Sequence, residues 1–367
     1  MDNSKIGTKE AISLILTIAI AHTIVSTPRN LLSSMKSAVL LNLIYVGFIL
    51  VGVSFIVVKL FKNFPGSDIL DISEYLGGKI FKRIVGFLFI SYFIISSSIL
   101  LREFAEAIKI IYYPITNIFF IILLFIISVA ITGKLEFTAT IKANLIITPI
   151  VLFSSIFLFT SNLKSFSAVR IFPLLGEGFF NTFILGIGNV SSFAGIAFLY
   201  FLPPLLKKPE DFRKISLTSV VIFFVYLFLN VAVILFIFSY LMTENEILPL
   251  YTASQYIQIG DFLVRLEVVF LLIWMEIFAC YLSIVIKFCM LILQKITNIE
   301  NSKVLCYPFA ILMLGIALIP NSFAQIKNFE SNIYPYLLIG FIYIFCILLL
   351  IFANLKRKKV GVKNDWN

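Results

Sequence analysis

Charge, histidine and closely spaced cysteine are what this sequence has least of. Charged residues fill only 13% of its 367 positions, against about a quarter in soluble domains, so water is not the solvent the chain is built for. His22 is the single histidine, and Cys280, Cys289, Cys306 and Cys346 lie in apolar stretches without a Cys-x-x-Cys pair. These absences leave a Cys/His metal cluster and a disulfide framework without support. With no nucleophile and base pair and no phosphate-binding glycine loop, the sequence gives no reason to expect an enzyme, a cofactor or a bound metal. The net charge of +10 is scattered between apolar runs instead of forming a basic face with exposed aromatics, so nucleic acid is not the expected partner.

What is abundant is apolar: 60% of the residues are hydrophobic and the mean hydropathy is +1.06. A spanning helix needs roughly 20 mainly apolar residues. Such runs recur near 10–32, 38–60, 84–108, 117–133, 141–160, 179–203, 215–241, 262–288, 304–320 and 333–353. Short polar breaks separate them, which predicts one polytopic membrane domain over 1–367 and no separate soluble domain. The short polar start from Met1 to Glu10 has no small-residue cleavage site, so the first run is read as a retained helix and not a signal peptide.

With the N-terminus on the cytoplasmic side, roughly 21 basic residues fall on that side and roughly 7 on the other, as the positive-inside rule requires. The bias persists from Lys5 to Lys363, so both termini are cytoplasmic and the span count is even; eight or twelve spans fit less well than ten. The tail, 354–367, carries Lys356, Arg357, Lys358 and Lys359, a cluster suited to anionic lipid head groups.

Two spans contain helix-breaking residues. The first has Ala21-His22-Thr23 with Ser26-Thr27-Pro28, and the sixth has Gly186 to Gly195, including Gly188, Ser192 and Ala194. Breaks at matching places in two halves point to an inverted repeat whose unwound backbone serves a ligand at the midplane. The expected fold is therefore all-α and integral to the membrane, with ten transmembrane helices in a 5+5 inverted repeat, the repeats covering about 8–160 and 179–353. Small residues also occur where membrane helices simply pack closely, so packing and ligand contact both remain open for the sixth-span segment.

Other candidates come with alternatives of their own. Glu276 falls near the middle of the eighth span, where a carboxylate is costly; it either hydrogen-bonds a neighbouring helix or serves an ion-linked or complex-contacting role. Glu267, Trp274 and Tyr281 recur every seven residues and share one helix face, whereas Arg265 and Glu276 lie on another. Tyr281 thus looks into a core, as packing or as a ligand contact. Arg102 and Glu106 can pair along the third span near its outer interface, either as a gate or to fix that helix. Ser96, deeper in the same span, suits a small polar ligand or close packing. His22 either titrates near neutral pH or is a satisfied core histidine.

Several landmarks recur together in one order: Thr27-Pro28-Arg29, Phe64-Pro65-Gly66 with Glu74-Tyr75-Leu76-Gly77, Leu101-Arg102-Glu103-Phe104 with Glu106, Arg170 with Pro173 and Gly176-Glu177-Gly178, Phe201-Leu202-Pro203, and Arg265-Leu266-Glu267 leading to Trp274. In this the chain resembles the B subunits of spore nutrient germinant receptors, which belong with amino acid, polyamine and organocation permeases. It departs from their pattern at Val264, where an acidic residue is usual, and at Ala21-His22-Thr23, where glycine is. The resemblance implies a germinant-sensing subunit in the spore inner membrane, assembled with an A and a C subunit, that binds an amino-acid-like germinant in a permease-like core. The alternatives are a symporter of the same fold, coupled to protons or sodium, and a scaffold that has lost ligand binding. The ligand-facing candidates are Ala21, His22, Thr23, Ser96, Gly188, Ser192, Ala194 and Tyr281; Arg102, Glu106 and Glu276 are the candidates for intramembrane charge or gating.

Overall fold

A computed structural model describes residues 5–243, 246–257, 265–299 and 302–364. Val264, the predicted start of the eighth span at 262–264, and the end of the tail at 365–367 lie outside them. Among the described residues the fold is helical, with no strand beyond one isolated bridge between Ile6 and Leu206. Six helical stretches are long and apolar enough to cross a membrane, and two shorter apolar helices accompany them. Adding the broken first and sixth spans makes the ten.

The first span runs as Thr8–Ala21 and resumes as Thr27–Met35, where Pro28 stands in the opening turn, a position at which its missing N–H costs nothing. The second is Val39–Phe61. Ahead of the third, Asp68 accepts from the backbone N–H groups of Leu70 and Asp71, an N-cap that starts a helix well before the predicted 84. This helix, Ile69–Tyr112, bends at Gly78, whose φ of 74° a side chain would oppose. The short stretch before the bend is therefore free to leave the direction of the span.

The fourth and fifth spans are Ile118–Thr132 and Phe137–Ser161. In the sixth, π-type winding over Phe180–Ile184 gives way to 3-10 winding over Leu185–Ser192, and a short α-helix, Ile196–Leu199, follows the break. The seventh is Phe212–Ile237 and the ninth Cys306–Ala317. The eighth continues to Thr297 rather than 288, and the tenth begins near Phe323 rather than 333, because these helices go on making protein contacts past the apolar stretch that predicted them.

The first span packs chiefly on the fifth, seventh and eighth, and the break of the sixth on the second and tenth. Ser13 and Thr17 of the first span share hydrogen bonds of 2.8 and 3.1 Å with Thr148 of the fifth. At the end of the bundle holding the N-terminus, Ile6 donates to the Leu205 carbonyl and Lys207 to the Ile6 carbonyl, while Thr8 donates to Asp211 at 2.6 Å. These bonds tie the chain start to the far end of the sixth span. Lys287, almost fully buried, donates to the carbonyls of Gly133 and Leu135, supplying partners to backbone groups that the fourth span's end leaves open.

Candidate functional site

A cavity of about 310 Å³ opens between the two helix breaks and the start of the tenth span. His22, Ser26 and Asn30 contribute from the first span, Asn189 and Ser192 from the sixth, and Glu330 from the tenth. Apart from a few apolar positions, the residues lining it carry hydroxyl, amide, imidazole or carboxylate groups. That is unusual within a membrane helix bundle, where such groups are costly unless they have partners or a task.

The local backbone explains how these residues come to line it. At the first break, Thr27 Oγ1 donates to the His22 carbonyl at 2.6 Å and Thr23 Oγ1 to Ile20 at 2.7 Å, so side chains supply bonds where the helical ladder is interrupted. His22 then projects into an aromatic group. Its Nε2 shares a 2.9 Å hydrogen bond with the Tyr281 hydroxyl, and its ring stacks on Tyr334 at 5.8 Å. The hydroxyls of Tyr334 and Tyr92 lie 3.4 Å apart.

At the sixth break the support comes from elsewhere. Asn42, buried in the second span, donates to the carbonyls of Thr182 and Gly186 at 2.7 and 3.1 Å and accepts from Asn189 at 2.8 Å. Gly186 lets this happen, because a Cβ there would collide with Asn42. From the tenth span, the Tyr343 hydroxyl donates to the Val190 carbonyl at 2.8 Å. In return, Tyr200 donates to the Ile342 carbonyl at 2.9 Å, within a π-wound stretch, Leu338–Phe345, where carbonyls are released from the ordinary ladder.

Of the residues singled out from sequence, His22 and Ser192 line the cavity. Tyr281 stands behind His22 and is buried with Glu267 and Trp274 on one face, while Arg265 and Glu276 are exposed on another. Ala21, Thr23, Ser96 and Ala194 are buried beside the breaks without lining the cavity, and Gly188 has open space where a side chain would be. Arg102 donates to Glu106 at 2.8 and 3.0 Å and to the Ala317 carbonyl at 3.3 Å. The pair is thus largely buried against the end of the ninth span.

Sequence reading passed over Asn42, Tyr334, Tyr343 and Glu330. Asn42 could have been noticed as the one amide in a long apolar run. Glu330 lay ahead of the predicted tenth span, so it read as a loop residue.

Below the cavity a further charge cluster is buried. Arg29 Nη2 is 3.5 Å from Glu103 Oε1, with both side chains almost completely covered. Arg29 also donates to the Glu246 carbonyl at 3.4 Å and lies over the Phe323 ring.

Comparison with known proteins adds context to this geometry. A family model described as spore germination protein matches residues 5–326. Spore germination protein KB of Bacillus subtilis (strain 168) is 26% identical over 314 residues, covering 82% of each chain. Among solved structures, a substrate-bound, outward-open Na+-coupled sialic acid symporter superposes with a TM-score of 0.65 at 10% identity, over 94% of this chain and 80% of its own. MhsT in complex with L-phenylalanine superposes with a TM-score of 0.64 at 12% identity, over 94% and 97%. At such identities the likeness is one of fold.

Proposed function

The chain belongs to the spore germination protein family, and from that premise we propose that it is the nutrient-sensing membrane subunit of a germination receptor. Its ligand is a small amino-acid-like solute, held in the cavity between the two helix breaks. The observation that carries this reading is the cavity's chemistry: amide and hydroxyl groups from both breaks converge with one carboxylate, Glu330. The ammonium end of an amino acid is directed to Glu330 and Ser26, and its carboxylate to Asn30 and Asn189. Ala21, Thr23, Ser96, Gly188, Ala194 and Tyr281 shape the breaks behind these contacts.

Binding acts by favouring one arrangement of the broken spans over another, to the extent of its differential affinity for the two. The receptor setting brings in A and C subunits, the spore inner membrane, and both termini on the core side. Residues 8–160 and 179–353 serve as two inverted repeats. Glu276, exposed on the eighth span, suits contact with a partner subunit, and Arg102 with Glu106 holds the third span against the ninth.

Equilibrium binding of a panel of radiolabelled L-amino acids to the purified chain in nanodiscs tests the proposal. Saturable binding is expected in the wild type, lost in Ser192→Trp and retained in Phe48→Trp, a change on the outer surface. No saturable binding of any amino acid would remove this ligand class. A symporter is the second reading, favoured by the closed latch at Ile6 and Leu205 opposite an accessible cavity, the asymmetry that alternating access requires. Accumulation of the bound amino acid in proteoliposomes containing this chain alone would select it over the receptor.

A further inference from the structure

The buried charges beneath the cavity do not balance. Arg29 supplies one positive charge, with its Nη2 3.5 Å from Glu103 Oε1, while Glu103 and Glu330 supply two carboxyl groups set close enough to interact, beside Ser26. Glu103 is fully buried, and both its oxygens, with Oε2 of Glu330, are sealed from solvent without a donor.

Other charged groups nearby do not make up the deficit. On the third span Arg102 is committed to Glu106 and the Ala317 carbonyl. The Glu246 segment gives Arg29 only a carbonyl, its own carboxylate accepting from Thr252. On the tenth span Lys327 is exposed, and Tyr334 follows Glu330 by one turn. Across the cavity stands His22, engaged with Tyr281 and Tyr334.

Two ionised carboxylates can only accept hydrogen bonds, so contact between them places like charges together and leaves buried oxygens unsatisfied. One proton removes both faults. It turns one carboxyl into a donor to the other, and the cluster becomes neutral overall with Arg29, the state a poorly solvated site favours.

We propose that Glu103 and Glu330 form a proton-binding site, holding one exchangeable proton between them beneath the cavity. Proton entry and exit run through Glu330, which lines the cavity, whereas Glu103 does not. The site shares Glu330 with the nutrient-binding reading, but its test uses no nutrient, so a failure of either one is told apart from a failure of the other.

Infrared spectroscopy of the full chain in nanodiscs at neutral pH, with 13C-labelled glutamate, tests it. The expected result is a carbonyl stretch from a protonated glutamate that shifts on exchange into D2O. It should vanish in Glu103→Gln and in Glu330→Gln, since either change leaves one carboxylate matched to Arg29, and persist in Glu106→Gln. If Glu103→Gln does not fold, Glu330→Gln at the cavity wall carries the mutant arm alone. A wild type without the band, a band that survives in either folded variant or is lost in Glu106→Gln, or one insensitive to D2O would overturn the assignment.

Discussion

Tyr343 and Val190 lie far apart in the chain yet are joined by a hydrogen bond of 2.8 Å from a phenol hydroxyl to a backbone carbonyl. The bond ties the tenth span to the break of the sixth. It also satisfies a carbonyl in irregularly wound backbone, where the regular helical ladder is interrupted.

Removing that hydroxyl should therefore loosen the break without changing the packing of the ring. Tyr343→Phe is expected to lower stability by about 1–3 kcal/mol, the range for leaving a buried acceptor unpaired, seen as a lower unfolding midpoint in detergent. An unchanged midpoint would mean that the carbonyl finds another partner.

Asn42 is expected to matter more, because its amide holds two carbonyls of the sixth span and accepts from Asn189. Asn42→Leu keeps approximate volume but strands those groups, so its destabilisation should exceed that of Tyr343→Phe. Its affinity for whichever amino acid binds the wild type should fall at least about tenfold, on the order of one such bond. Equal midpoints for the two variants would argue against a central role for Asn42.

Lys287 should behave as a structural cap. Lys287→Met removes the donor to Gly133 and Leu135 while keeping the apolar stem, and the fourth span should fray at that end. Faster amide exchange across 129–136, with little change across the first span, is the expected hydrogen-exchange pattern.

The latch near the N-terminus offers a readout of state. Thr8→Val deletes the 2.6 Å bond to Asp211, and the amides of Ile6 and Lys207 should then exchange several-fold faster. If transport or signalling requires this end to open, the variant should also shift the equilibrium toward an arrangement with the latch released. Exchange as slow as in the wild type would place the strength of the latch in the backbone bonds alone.

Much of this protein was settled by its sequence, because the relevant physics is local. A bilayer demands long apolar helices with internally satisfied backbones, so composition and run length disclosed the spans. Pro28 and the run from Gly186 to Gly195 disclosed where two of them break, since those residues act on the backbone that carries them. The seven-residue spacing of Glu267, Trp274 and Tyr281 likewise foretold one buried face, because helical period is a property of the helix itself.

What only the tertiary structure decided is which distant groups complete the cavity. The tenth span's contribution through Glu330, Tyr334 and Tyr343, the support from Asn42, and the meeting of Arg29 with Glu103 all join residues from separate spans. No spacing rule encodes such contacts, for each isolated polar residue in an apolar helix reads the same until packing sets its neighbours. The same holds for Glu276, whose position along the eighth span was evident in the sequence but whose exposed direction was fixed by how that helix packs.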